Sequence, residues 1–166
     1  MTKLAAAQHP LRKRAARFGM FATLAGLLLA GCAASEDEQE LALDPFTVTR
    51  SETSNDYLVC PPERCAGLAD RHAPVIATDV NLLKNAFVRA LGQEPRMTIT
   101  RDSDDWLEAE QSSAFFGFVD DIAVRIVADQ AGATFAIYSR SRVGRYDFGV
   151  NKERVERIIE NATKPE

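Results

Sequence analysis

Asp120 and Asp121 stand side by side at the head of an alternating run. Arg140, Arg142, Asp147, Asn151 and Arg154 follow downstream. Carboxylates can work as acid and base, and an arginine fork can grip a carboxylate or a phosphate with two hydrogen bonds. Consecutive strand residues point to opposite faces, however, so Asp120 and Asp121 are poorly placed to act on one bond. Asp120 shares parity with Ile122, Val124 and Ile126, and Asp121 with Ala123 and Arg125. Asp120 therefore belongs to the apolar face, where a carboxylate needs a partner or a raised pKa. A tight turn through Asp129–Gly132 brings Asp120 and Asp121 opposite Arg140 and Ser141, with Arg142 one step away. Arg154 reaches toward the same end from a following helix. On the first reading these charges are an ion-pair network that locks a hairpin to that helix, with Asp120 facing the arginines across the hairpin. On the second they are a ligand site, in which the helix start at Asn151 joins Arg140, Arg142 and Arg154 in holding an anion.

The other reactive side chains are few. Cys60-Pro-Pro-Glu-Arg-Cys65 frames two thiols at a spacing that is not C-x-x-C. In an oxidising compartment the default for such a pair is a disulfide, with a redox pair or a zinc site recruiting Asp70 and His72 as alternatives. Four well-placed zinc ligands are not evident, and neither a metal nor a cofactor is expected. His72 is the only histidine after Cys32, so any serine or cysteine mechanism would depend on it alone.

The first 31 residues read as an address. Lys3, Arg12, Lys13, Arg14 and Arg17 precede the 13-residue apolar run Phe18–Ala30, too short to span a bilayer, which needs about 20 apolar residues. The run ends in Leu29-Ala30-Gly31-Cys32, which resembles the lipobox of bacterial lipoprotein precursors. The resemblance implies cleavage before Cys32, diacylglycerol on its thiol and acylation of the new amino terminus. Two or more acyl chains anchor a protein stably where one does not. By resemblance to enterobacterial sorting, Ala33 after the cysteine points to the outer membrane, facing the periplasm. The acid-rich stretch to Pro45 has too little apolar surface for a core and reads as a tether. The expected organisation is thus a signal peptide over 1–31, a lipidated cysteine and tether over 32–45, and one domain over 46–166.

Charge follows the same division. Five of the 20 basic residues lie before Cys32 and none of the 24 acids does, so the remainder of the 166-residue chain sits near −9. That balance disfavours nucleic acid and non-specific binding to an anionic surface.

Several elements would position the charged cluster. Phe46–Arg50 reads as a short strand or arm, and 51–77 as loop. Thr78 or Asp79 caps a helix to about Leu91, with Val80, Leu83, Phe87 and Ala90 as its stripe, ended by Gly92. Four strands follow, near 96–101, 106–111, 118–128 and 134–142, joined by tight turns and so antiparallel. Asn151 caps a last helix with Val155, Ile158, Ile159 and Ala162 at helical spacing. The expectation is α+β: a four-stranded, mainly antiparallel sheet with two helices packed on it. Trp106 and the Phe115, Phe116 and Phe118 cluster are expected in the core; if exposed, they would mark a partner or lipid groove.

Phe116-Gly-Phe-Val-Asp120-Asp121, Ser139-Arg140-Ser-Arg142-Val-Gly144 and Asp147-Phe-Gly149-Val-Asn151-Lys-Glu-Arg154, with Cys60-Pro61 and Cys65, resemble the domain of unknown function 1499 family over roughly residues 56–162. Ala66-Gly67-Leu68 departs from the family's usual Val-Ser-Ser after the second cysteine, so no role for those hydroxyls carries over. The resemblance implies a fold, and implies no activity. The functional expectation is a membrane-anchored envelope lipoprotein with a non-enzymatic binding or structural role. Its partners would be the membrane, through Cys32, and an anionic small molecule, lipid or envelope protein. The alternative is an envelope hydrolase or lipid-processing enzyme built on Asp120, Asp121, Arg140 and Arg142.

Overall fold

Alternating residues between 97 and 141 build a four-strand meander, and two strands from the preceding segment extend it. The structure is a computed structural model that describes residues 43–164 apart from 51, 66 and 67. The expected signal peptide, Cys32 and most of the expected tether lie outside the described residues. In chain order the elements are β1 (Asp56–Cys60), β2 (Arg71–His72), α1 (Val80–Gln93), β3 (Met97–Asp102), β4 (Trp106–Ser112), β5 (Val119–Asp129), β6 (Gly132–Ser141) and α2 (Val150–Thr163). The sheet order is β2-β1-β6-β5-β4-β3, with β1 and β2 parallel and every other pair antiparallel. The class is α+β as expected, but the sheet has six strands and not four. The segment read as loop supplies β1, because Tyr57-Leu58-Val59 docks beside β6 and is buried on both faces.

Parity divides the two sides of the sheet. Val59, Leu107, Ala109, Ile122, Val124, Ile126, Phe135 and Ile137 meet Leu83, Phe87, Ala90 and Leu91 of α1 and Val155, Ile158, Ile159 and Ala162 of α2 in the main core. Asp79 caps α1 by accepting from the Asn81 N–H at 2.7 Å, and the helix ends one residue beyond Gly92. Leu58, Cys60, Ala136 and Tyr138 point to the other side and are covered by Leu43, Phe46, Val48 and Ala69. Phe46–Arg50 is therefore a covering segment and not a strand; a turn at Asp44–Thr47 leads into it. Among the described residues both core clusters lie between Leu43 and Ala162.

One glycine is required by close approach. Gly132 opens β6 at φ 143°, and a Cβ there would fall 2.1 Å from the Ile76 carbonyl oxygen. That carbonyl accepts from Ala133 while the Ile76 N–H donates to the Ala133 carbonyl, fastening the lead-in to α1 against the hairpin.

Cys60 and Cys65 form a disulfide, with Cα atoms 6.0 Å apart. It closes the turn between β1 and the crossover to β2. Alkylation without reductant followed by mass spectrometry should find both thiols blocked. Cys60→Ser with Cys65→Ser should lower unfolding stability by about 2 kcal/mol in urea titration, the chain-entropy value for so short a loop.

Candidate functional site

The charged residues gather at the end of the sheet where β5 begins and β6 ends, but on two faces. Hairpin register pairs Asp120 with Ser141 and Asp121 with Arg140. Arg140 therefore shares a face with Asp121, and the expectation that Asp120 faces Arg140 is corrected. Directly opposed residues of an antiparallel pair share a face, so Ser141 and not Arg140 lies on the Asp120 side.

On the helix-covered face the centre is Arg154, one turn inside α2 and only 3% exposed. Its Nη2 donates to Asp120 Oδ2 at 2.6 Å. Nη1 donates to Ser139 Oγ at 2.9 Å and to Asn151 Oδ1 at 2.7 Å, and Nε donates to Gln111 Oε1. Four elements thus converge on one cation. Asn151 is fully buried and extends the network, its Nδ2 donating to the Asn55 carbonyl at 2.9 Å and to Asp147 Oδ2 at 2.8 Å.

Asn151 is not the cap of α2. That position belongs to Gly149, at φ 85°, while the Asp147 carboxylate accepts from the Gly149 and Asn151 N–H groups, both at 2.9 Å. Burial would raise the Asp147 pKa, but these backbone bonds and the Asn151 amide outweigh it and hold the carboxyl below its usual value.

On the opposite face Asp121 accepts from Arg140 Nε at 3.1 Å and from Arg142 Nε at 2.7 Å, and Arg142 also pairs with Glu110. Both arginines are partly exposed and border a shallow cavity of about 230 Å³ with Asp121, Glu108 and Glu110. Three acids and two arginines line the cavity, and Asp120 is not part of it. Farther along this face lies a group that sequence reasoning missed. Asp56 accepts from Arg50 Nη2 at 2.5 Å and from the Tyr138 hydroxyl at 2.7 Å. Burial, then the bond to Asp56, pushes the Tyr138 pKa up, so the phenol stays a donor. Once β1 is read as a strand, Asp56 falls opposite Arg140; without it no signal links them.

His72 is exposed on β2, and Asp70 is engaged by Arg50 and the Leu58 N–H. Among the described residues no group of three or more His, Cys, Asp or Glu is placed to hold a metal. No helix among them is long and apolar enough to cross a membrane. The aromatic expectation divides. Trp106 is half-buried, with Arg101 and Arg125 over its ring at 4.5 and 4.7 Å. Phe115, Phe116 and Phe118 are exposed on the β4–β5 loop and not in the core.

The family described as Protein of unknown function (DUF1499) matches residues 32–161. The chain belongs to the DUF1499 family. A comparison with curated proteins found no match. Among solved structures, an X-ray structure of a Chromobacterium violaceum structural-genomics target aligns with the DUF1499 chain at 7% identity and a TM-score of 0.38. The alignment covers 68% of this chain and 99% of that one.

The two faces of the DUF1499 domain should respond differently to mutation. Breaking a buried ion pair costs about 3–5 kcal/mol and an exposed one about 0–1. Asp120→Ala and Arg154→Ala should each fall in the first range by urea unfolding, with the double variant losing less than their sum. Arg140→Ala should fall in the second.

Asp147 gives a separate test. Its lowered pKa contributes stability above the ordinary carboxylate range, lost as pH falls through the folded value. Asp147→Asn should therefore flatten the acid side of the Tm-against-pH curve. An unchanged acid limb would show that the α2 terminus does not depend on that charge.

Proposed function

We propose that the chain is an exported envelope lipoprotein, held by acyl chains on Cys32 at the periplasmic face of the outer membrane. Its DUF1499 domain serves as a binding or structural module and not as an enzyme. The observation that carries the non-catalytic part is the commitment of both carboxylates. Asp120 is bound to Arg154 inside the domain, and Asp121 to Arg140 and Arg142 on the other face. A hydrolase built on this cluster would need an acid and a base at one bond. Opposite faces of a sheet and saturated ion pairs disfavour that, which supports the structural reading of the cluster. The anchor rests on Leu29-Ala30-Gly31-Cys32 and the basic, then apolar, stretch before it.

Cells fed a palmitate analogue should label the wild-type chain, and Cys32→Ala should appear unlabelled in the soluble fraction. An unlabelled wild type removes the anchor. Asp121→Asn should support the protein's cellular role as wild type does. Loss of that role with unchanged Tm would restore the enzymatic alternative.

A further inference from the structure

Among the described residues, the end of the sheet that holds the ion pairs also carries most of the exposed aromatic side chains. Two loops leave it. The β4–β5 loop carries Phe115, Phe116 and Phe118, and the loop from β6 to α2 carries Tyr146 and Phe148. Phe115 is 93% exposed, Phe116 79% and Phe148 92%. The loops are neighbours, since the Arg142 N–H meets the Val119 carbonyl just beyond each. Val143 and Val150 add to the second loop; of the other large apolar residues exposed among those described, Leu68, Val75 and Leu82 lie elsewhere. Single exposed rings are ordinary on a protein surface, but two pairs of uncovered rings on adjacent loops, Phe116 with Phe118 and Tyr146 with Phe148, are the kind of apolar surface that marks a contact.

The loops hold these rings outward by construction. Ser113 closes the first loop, its N–H donating to the Phe118 carbonyl at 2.8 Å and its Oγ accepting from the Phe118 N–H at 3.0 Å. Gly117 supplies the positive φ this turn needs, and Phe116 stacks on Phe118 with ring centres 5.6 Å apart. In the second loop Phe148 itself takes φ 55°, a region costly for a residue with a Cβ. No ring burial repays that strain, so an outside contact is its natural compensation.

We propose that this end of the domain seats in the interface of a phospholipid bilayer with anionic headgroups. The proposal takes its geometry from the lipoprotein reading of Cys32. The charges suit that occupant. The loop over 113–118 carries none. Arg145 and Lys152 are exposed on and just after the second loop, with Glu153 beside Lys152; Arg142 is taken up by Asp121 and Glu110, and Asp147 faces the α2 terminus. The acids outnumber bases elsewhere in the domain, so an anionic surface repels the remainder and orients this end toward itself. Tyrosine settles at headgroup depth, and phenylalanine is among the apolar side chains that bury at the boundary between headgroups and acyl chains.

The tether length fits as well. Leu43 leaves the sheet at Glu108, four residues of β4 from Ser112, or about 14 Å at strand rise. From Cys32 to Leu43 the extended chain reaches at most about 36–40 Å. An anchored Cys32 and seated loops are therefore compatible with one bilayer.

Vesicle co-sedimentation tests this on unacylated protein beginning at Ala33, which keeps every residue of both core clusters. It should sediment with phosphatidylethanolamine–phosphatidylglycerol vesicles and much less with phosphatidylcholine vesicles. Phe116→Ser with Phe148→Ser should weaken binding about tenfold or more at unchanged Tm, and Arg145→Glu with Lys152→Glu should remove its salt dependence. No sedimentation with the anionic vesicles, or equal binding by folded variants, would overturn the proposal. So would a concentration-dependent dimer abolished by the phenylalanine changes, which would assign the surface to a second copy. Because this protein lacks acyl groups, its result is independent of whether Cys32 is labelled in cells.

Discussion

A guanidinium sealed between sheet and helix is the constraint around which this domain is arranged. Taking Arg154 out of water is costly unless its N–H groups find acceptors, and they find them on β4, β5, β6 and α2. Each acceptor is fixed in turn. Gln111 donates to the Pro95 carbonyl at 2.9 Å, and Asn151 ties α2 to Asn55 just before β1. An apolar interface would tolerate sliding of the helix along the sheet. A polar centre with directional bonds accepts one placement, so the arrangement specifies position as well as contributing stability.

The two faces of the sheet therefore carry charge for different reasons. Beneath α2 the Arg154 cation is desolvated and satisfied; on the far side Arg140, Arg142 and Glu110 are partly in water around a buried Asp121, and each exposed partner contributes little individually. The strings that carry the family resemblance supply both. Ser139 and Ser141 look toward the helix face, Arg140 and Arg142 away from it, as strand alternation demands.

Much of this was legible in the sequence wherever a period was long enough to read. The α2 stripe, the Asp129–Gly132 turn and the parity of Asp120 all follow from spacing. β1 did not, because its buried residues Leu58, Val59 and Cys60 are consecutive and show no alternation, and the strand is flanked by Ser, Asn and Pro. The partner of Asp120 was missed for a different reason. Arg154 and Arg140 are both near in sequence terms, and only facing directions separate them. Phe115 and Phe116 were assigned to the core on composition, which carries no information about whether a loop can turn its rings inward.

The docking of β1 against β6 sets the order in which the domain can be completed. Asp56 and Tyr138, joined by one hydrogen bond across that pair, lie 82 positions apart. A chain emerging from its amino end presents β1 long before the neighbour that will shelter its two buried faces. The β5–β6 hairpin needs only local closure and can form as soon as it is made. Completion therefore belongs to the last third of the chain, and any pause or cut before Ser141 leaves an apolar strand uncovered with its amide groups unpaired. The Cys60–Cys65 link lies wholly on the early side of that event, so its oxidation need not wait for the sheet to close.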